Sequence, residues 1–457
     1  MTVEKSSFRD NSGFVFCEHG EIFRAITYSY KENYEHLIEC GLYDYLIKEN
    51  LLISHTEEVL KDKLNPDIYK IIKPKKIDFI SYPYEWCFSQ LKDAALTTLR
   101  IQKAALKHGM TLKDSSAYNI QFYRGKPILI DTLSFEIYNE NEPWTAYNQF
   151  CKNFLAPLVL AAFCDVRLNL LLKNFIDGIP LDLSKKILGT KVFLSLGVFI
   201  HVYLHSKFQI KYSDKNESLS VNKKWMNKDS LLRLIGNLET TVNKLRIKKD
   251  KTHWSNYYFD RYHSKIYFDE KKEIVKTYIE KVKTKRVCDF GANDGEFSKI
   301  ASAWSDVVLA FDSDHNCIEE CYNHVKENNI QNLIPLVVDL SNPTPPIGWA
   351  NSERMSLVER LNADLVLALA FIHHLCISNN LPFNLITEFF CKICNWLIIE
   401  FVPKSDPMVK KLLLHRKDIF ESYCVEDFER EFLKYFSVID YKKVSGTDRI
   451  IYLMKKN

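Results

Sequence analysis

VCDFGANDGEFS, residues 287–298, is the stretch that decides the fold. An apolar run enters it, Asp289 closes that run, and Gly291 and Gly295 frame the turn into a helical segment. Glycine in such a turn lets the backbone approach a ligand closely and takes φ values that other residues resist. The spacing is Gly-x3-Gly rather than Gly-x-Gly-x2-Gly, so the fingerprint that seats a pyrophosphate on a helix start is missing. A turn of this kind suits a ligand that carries no phosphate.

Outward from this turn, the pattern from Lys271 is helix (Lys271 to Val282), strand (Arg286 to Phe290), helix, strand (Val307 to Phe311) and helix. Strands follow at Leu333 to Val338, Leu365 to Leu369 and Trp396 to Phe401. Such alternation implies an open parallel sheet with helices on both faces, and continuous apolar strands agree with burial on both sides. Ligands of these sheets sit beyond the carboxyl ends of the strands. Four such ends carry informative residues. The glycine turn is the first. Asp312 closes VVLAFD twenty-three residues after Asp289, where a carboxylate can accept both hydroxyl hydrogens of a ribose. Asp339 follows LIPLVV, where an adenine amino group can be read, and ALAFIHHL (368–375) ends the fourth strand, where an acceptor would approach.

Through VCDFGANDGEFS, VVLAFDSD, VVDLSNPTPPIGWANSERMSL, ADLVLALAFIHHL and WLIIEFVPKSDPMV, the region resembles class I S-adenosylmethionine (SAM)-dependent methyltransferases of the nodulation-protein-like group. The resemblance covers most of residues 254–457. It implies a Rossmann-like domain with a mostly parallel seven-stranded sheet, ending in an antiparallel hairpin at Phe436 to Tyr441 and Arg449 to Met454 around Ser445-Gly446. It also implies that Asp289, Gly291, Asn293 and Gly295 cradle the methionine portion of SAM, that Asp312 holds the ribose, and that Asp339 lies beside the adenine. Ala292, Ser313, Leu340 and Ala370 complete the expected cofactor-binding set.

Methyl transfer is an in-line displacement at a sulfonium methyl, so alignment with a desolvated nucleophile supplies most of the catalysis. A hydroxyl or ammonium nucleophile also needs a base. His373 and His374 are the candidates because imidazole titrates near neutral pH, and as adjacent residues they are expected to point differently. A histidine hydrogen-bonded under the sheet edge is the alternative reading. Glu400 and Lys404 are further candidates for acceptor binding. Cys391-x2-Cys394 has half of a zinc spacing but no second pair nearby, so two packed thiols on the helix FFCKICNW are expected.

The first half reads differently. Short β-like runs, Phe14 to Phe16 and Glu21 to Ile26, flank His19-Gly20, and helical sequence follows through Tyr34 to Glu49. A long amphipathic helix is expected over Trp86 to Lys107, with Phe88, Leu91, Ala95, Leu99 and Leu106 on one stripe and Gly109 as the stop. A hairpin comes next, Ile120 to Tyr123 and Pro127 to Ile130 about Arg124-Gly125, and then Leu-rich helical sequence to about residue 246. LKDSSAYNIQF (112–122) and ILIDTLSFE (128–136) place Asp114, Asn119 and Asp131 in the order of phosphotransfer chemistry. There one carboxylate orients the acceptor, and an Asn with a second Asp holds Mg²⁺ against nucleotide phosphates.

Over residues 10–210 this α+β region resembles kinase-like phosphotransferases such as the aminoglycoside and lipopolysaccharide-sugar kinases. It departs from them in Leu112, in Thr132-Leu133, and in lacking a glycine-rich loop and a strand lysine. Arg24 in GEIFRAI occupies a comparable place, with Glu35 or Glu39 as the expected partner. A trio that only caps turns is the alternative.

Composition bounds the rest. A 457-residue chain calls for two or three domains, and the boundaries expected are 1–80, 81–246 and 247–457, with the division inside the polar stretch 211–252. A net charge of +4 does not mark a nucleic-acid binder, and Lys244 to Lys251 reads as a solvated face. Twelve scattered cysteines and a polar N-terminus point to a reducing cytoplasm. Phe154 to Leu172, broken by Pro157, Asp165 and Arg167, and the shorter Val192 to Leu204 read as buried helices rather than membrane spans.

The sequence thus points to SAM-dependent methylation of a hydroxyl, amine or carboxylate on a small molecule, saccharide or peptide, with the first half binding or presenting that acceptor. Two alternatives stand. One is a bifunctional kinase and methyltransferase using ATP and Mg²⁺ as well, similar in logic to the enzymes that cap bacterial O-antigen chains. The other is a pseudokinase scaffold fused to a methyltransferase.

Overall fold

The computed structural model describes residues 2–59, 66–206, 226–248, 265–414 and 417–457. Trp254 and, of the stretch 211–252 on which the boundary reading fell, residues 211–225 and 249–252 lie outside them. The chain forms two compact units, Met1–Lys248 with Pro346–Arg354, and Lys249–Pro345 with Met355–Asn457.

The first unit opens with a sheet of β1 (Thr2–Val3), β2 (Gly13–Glu18), β3 (Glu21–Thr27), β4 (His55–Glu58) and β5 (Ile68–Pro74), in the order β1-β2-β3-β5-β4 with every pairing antiparallel. His19 and Gly20, both at positive φ, make the two-residue turn between β2 and β3, because that turn matches the twist of the flanking strands. The helix expected over Tyr34 to Glu49 is two helices, Lys31–Glu39 and Leu42–Lys48. Gly41 at φ +77° turns the chain between them, while the apolar spacing runs on across the break.

Helix Phe88–Lys107 buries Leu91, Ala95, Leu99 and Leu106, and Gly109 at φ +75° follows its end. Two short ladders come next: β6 (Met110–Leu112) pairs with β9 (Phe135–Ile137), and β7 (Ile120–Tyr123) pairs with β8 (Lys126–Leu129) through Arg124 and Gly125. The remainder is helical, including Ala156–Phe163, Leu181–Leu188 and Lys228–Lys244. No described helix is long and apolar enough to cross a membrane. Part of the methyltransferase-like sequence also belongs to this unit. In Pro346–Arg354, Glu353 is clasped by Arg9 (Nε to Oε1 2.8 Å, Nη2 to Oε2 3.0 Å), and the Arg354 guanidinium lies 4.4 Å from the Tyr118 ring centre.

The second unit is built on β10 (Arg286–Phe290), β11 (Val307–Asp312), β12 (Leu333–Val337), β13 (Ala363–Ala368), β14 (Cys394–Phe401), β15 (Phe436–Lys443) and β16 (Ile450–Lys456). Their order is β12-β11-β10-β13-β14-β16-β15. The first five in that order run parallel, and β16 is antiparallel to both β14 and β15. This is the Rossmann-like sheet of class I methyltransferases. Strand order reverses between β10 and β13, so the crevice of the sheet opens beyond β10. Val287, Cys288, Asp289 and Phe290 are all buried, and Val308, Leu365, Leu367 and Ile398 pack in the same core. Each such fully buried aliphatic side chain contributes about 1.5–3 kcal/mol.

The two thiols expected on one helix are separated. Helix Phe383–Ile393 ends before Cys394, which begins β14, so Cys391 is half-buried on the helix and Cys394 is buried in the sheet. All twelve cysteines are free, and no group of three or more His, Cys, Asp and Glu among the described residues is placed to hold a metal.

Candidate active site

Four backbone hydrogen bonds shape the turn after β10. The Gly291 and Ala292 N–H groups donate to the Phe311 carbonyl at 2.9 and 3.0 Å, and the Asn293 N–H donates to Asp312 Oδ2 at 2.8 Å. The Asp314 N–H donates to Asp312 Oδ1 at 2.9 Å. The Ser313 N–H also donates to this carboxylate, so Asp312 is an acceptor held at the strand end by the backbone on both sides of it.

Gly291 (φ +74°), Asn293 (φ +54°) and Gly295 (φ +84°) all lie in the left-handed region. A Cβ on Gly295 would stand 2.5 Å from Cys321 Sγ, and one on Gly291 would stand 2.9 Å from the Phe371 ring, so both glycines answer close approach as well as conformation. Ser313 and Asp339 are exposed and Leu340 is half-buried. One oxygen of Asp339, Oδ1, accepts from the Ser341 N–H and hydroxyl at 2.9 and 2.6 Å.

Asp289 is buried beneath the turn, and the Ser298 hydroxyl donates to its Oδ2 at 2.6 Å. Burial pushes its carboxyl up to about 7, aided by Asp312 and opposed by Ser298 and Lys271. Because the folded value lies above the unfolded one near 3.9, the stability this group contributes is complete below pH about 4 and is lost as pH rises to about 7. Asp289→Asn keeps an acceptor for Ser298 and removes the titration. Urea melts from pH 4 to 8 are expected to show a fall in wild-type stability, up to about 4 kcal/mol, that the variant lacks. Parallel curves for the two proteins would show that Asp289 is ionised throughout.

His373 and His374 follow β13 with ring centres 4.1 Å apart, so the two adjacent rings lie side by side rather than pointing apart. His373 is 1% exposed, and neither of its ring nitrogens has a hydrogen-bond partner among the described residues. Burial, then the charges of His374, Arg449 and Lys271, pushes it well below the ordinary imidazole value. His374 is partly exposed, and burial followed by Arg449 lowers it to about 4. Both imidazoles are therefore neutral at pH 7, able to accept a proton but weakly basic.

Glu400, read from sequence as an acceptor-binding candidate, is fully buried and its oxygens are already engaged. Lys271 Nζ lies 2.6 Å from Oε2, the Ala370 N–H donates to Oε2 at 2.7 Å, and the Tyr267 hydroxyl donates to Oε1 at 3.1 Å. Arg449 Nη1 reaches Oε1 at 3.4 Å, while its Nε and Nη2 fork onto Asp406 at 2.7 and 3.0 Å. Burial works to raise the Glu400 carboxyl, but Lys271 and Arg449 outweigh it and hold it well below the usual range. Sequence reasoning missed this cluster. Its signal was a lone charge inside the apolar run WLIIEF, which has no place in a buried strand without partners. Lys404, the other acceptor candidate, pairs at the surface with Asp418 at 2.9 Å.

In the first unit, Asp114, Asn119 and Asp131 lie in one polar cluster. Asn119 Nδ2 reaches Ser134 Oγ at 3.4 Å, and Ser134 Oγ donates to Asp131 Oδ2 at 2.9 Å. Burial, and to a lesser extent the charge of Asp131, raise the Asp114 carboxyl against its hydrogen bonds from Ser116, Gln149 and Asn119. Both aspartates also cap turns, Asp114 accepting from the Ser116 N–H at 2.8 Å and Asp131 from the Leu133 N–H at 2.9 Å. Arg24 does not pair with Glu35 or Glu39. Its Nη1 lies 2.7 Å from Asp131 Oδ1 and its Nη2 lies 3.6 Å from Asp10, because β3 presents it to the strand-end aspartate, while Glu35 pairs with Lys31 and Tyr69.

No protein-family model matches the chain. Nodulation protein NoeA of Rhizobium meliloti (strain 1021) is 30% identical over 463 residues, an alignment that covers 99% of this chain and 95% of the relative. Among solved structures, N-methyltransferase NodS from Bradyrhizobium japonicum WM9 is similar at 8% identity and TM-score 0.32, over 42% of this chain and 98% of its own. WbdD is similar at 15% identity and TM-score 0.31, over 41% and 40%. Magnesium protoporphyrin IX methyltransferase (ChlM) from Synechocystis PCC 6803 is similar at 14% identity and TM-score 0.30, over 46% and 87%. Likenesses this faint decide nothing about activity, and the fold rests on the strand order itself. On the near-complete alignment with NoeA, the chain belongs to the nodulation protein NoeA family, and its second unit carries the Rossmann-like class I SAM-dependent methyltransferase fold.

Proposed function

We propose that this chain transfers a methyl group from SAM to a hydroxyl, amine or carboxylate of a small molecule, saccharide or peptide, and that its first unit binds or presents that acceptor. The observation that carries the reading is Asp312. It closes β11 beside the glycine turn, a carboxylate held in place by the backbone N–H groups of Asn293 and Asp314. The residues present fit SAM. The tight backbone turn that Gly291 and Gly295 make possible would lie along the methionine portion, Asp312 takes the ribose, and Asp339 at the end of the next strand takes the adenine edge. Bound SAM supplies an electrophilic methyl. The chain aligns the acceptor with it and excludes water, and His374, neutral and weakly basic, takes the proton of an acceptor that must lose one.

The test compares extracts of cells with and without the gene, incubated with the purified chain and methyl-labelled SAM. A labelled species that forms from the extract lacking the gene is expected. Absence of any labelled species, together with no detectable SAM binding, would refute the reading.

A bifunctional reading is favoured by one observation, the gathering of Asp114, Asn119 and Asp131 in one polar cluster, where Mg²⁺ would have to displace Arg24 from Asp131. Asn119 and Asp131 would hold Mg²⁺ and Asp114 would orient the acceptor hydroxyl. Asp131→Asn is then expected to abolish Mg²⁺-dependent ATP turnover and leave SAM binding intact. Equal turnover in wild type and variant would remove the metal role.

A further inference from the structure

Ala370, the residue two beyond β13, has φ +50°, a conformation that a side-chain-bearing residue holds only when its surroundings impose it. Its N–H donates to Glu400 Oε2 at 2.7 Å. Glu400 in turn is fixed by Lys271 from helix Lys265–Val282, by Tyr267 from the same helix, and by Arg449 from the turn before β16. Three side chains from two separate elements thus converge on the carboxylate that grips one strained peptide. The proposed cofactor geometry gives that peptide a task. Asp312 and Asp339 follow β11 and β12, on one side of β10, so a nucleoside held there leaves its amino-acid end toward β10 and β13. Ala370 stands at that end, and the next residue, Phe371, packs against the place where Gly291 would carry a Cβ.

We infer that Glu400 is a positioning residue that, held by Lys271 and Arg449, fixes Ala370 to receive the amino-acid portion of SAM. This rests on the SAM reading above. Glu400 touches no substrate. It sets the backbone of the residue that does, and its charge is paired by Lys271 while Asp406 holds the fork of Arg449 beside it.

The test uses the full chain and two probes that share adenosine and sulfur but differ in the amino-acid end, S-adenosylhomocysteine and 5′-methylthioadenosine, with affinities measured by titration calorimetry. Glu400→Gln is expected to weaken S-adenosylhomocysteine by about tenfold or more while 5′-methylthioadenosine changes by less than about twofold. Ala370→Gly added to Glu400→Gln is expected to restore part of the loss, because glycine reaches positive φ without the clamp. Lys271→Met, which removes the partner from another element, is expected to show the same selectivity and covers the case in which Glu400→Gln does not fold. Equal losses for both probes, no loss, or no recovery with Ala370→Gly would overturn the inference, as would failure of both single variants to fold. A wild-type chain that binds neither probe would instead refute the SAM reading, so the two failures are distinguishable.

Discussion

Asp312→Ala is expected to weaken SAM binding by about a hundredfold or more, the loss of two hydrogen bonds to a charged acceptor. Its two oxygens face different ways, one to the Asn293 N–H and one to the Asp314 N–H, and the ribose would contact the same carboxylate. The substitution also frees the Asn293 N–H, whose residue sits at φ +54°, so the glycine turn loses a fastening along with the ligand contact. Asp312→Asn separates the two effects. An amide oxygen still accepts one donor, but its NH₂ repels the other, so an intermediate loss is expected. Calorimetry with SAM measures both variants, and near-normal affinity in Asp312→Ala would mean that the ribose is held elsewhere.

The largest stability effect is expected from Arg449→Met. Arg449 is completely buried, forks onto both oxygens of Asp406, donates to the Tyr267 hydroxyl at 2.8 Å and approaches Glu400. Without it, buried Asp406 loses its guanidinium partner and Glu400 is left with Lys271, which burial itself pushes toward neutrality. Breaking one partner out of such a network costs about 3–5 kcal/mol, because the charges left behind stay desolvated. That is a large part of the roughly 5–15 kcal/mol that holds a typical protein folded. Urea unfolding followed by the signal of the second unit measures it. Arg449→Lys keeps the charge but not the planar fork and should fall between the two. A loss below about 1 kcal/mol would place the cluster in contact with water.

The sheet was legible in the sequence for a physical reason. Strands covered on both faces read as unbroken apolar runs, and β10 falls on the expected Arg286 to Phe290 without displacement. The starts at Val307, Leu333 and Phe436 and the end at Phe401 also coincide, and the remaining strand ends moved by one or two residues, where propensity weakens and hydrogen bonding decides. The break between Lys31–Glu39 and Leu42–Lys48 was hidden because leucine and tyrosine spacing continues through Gly41. Cys391 and Cys394 read as one helix because the apolar run spans the junction between helix and strand.

Asp289, Gly291, Gly295 and Asp312 could be singled out because their positions relative to strand ends are a property of the chain. The partners of Glu400 could not, since Lys271 and Arg449 are brought to it from 129 and 49 residues away. For the same reason Arg24 was given the wrong carboxylates. The helix glutamates are its neighbours in sequence, and Asp131 is its neighbour in space.

Soaking or co-crystallising the full chain with S-adenosylhomocysteine tests the central claim most directly. Density for the ligand is expected across the carboxyl ends of β10, β11 and β12, with both ribose hydroxyls within hydrogen-bond distance of Asp312 and the amino-acid end beside Ala370. A ligand seated in a different crevice, with the mouth of the glycine turn filled only by water, would contradict it.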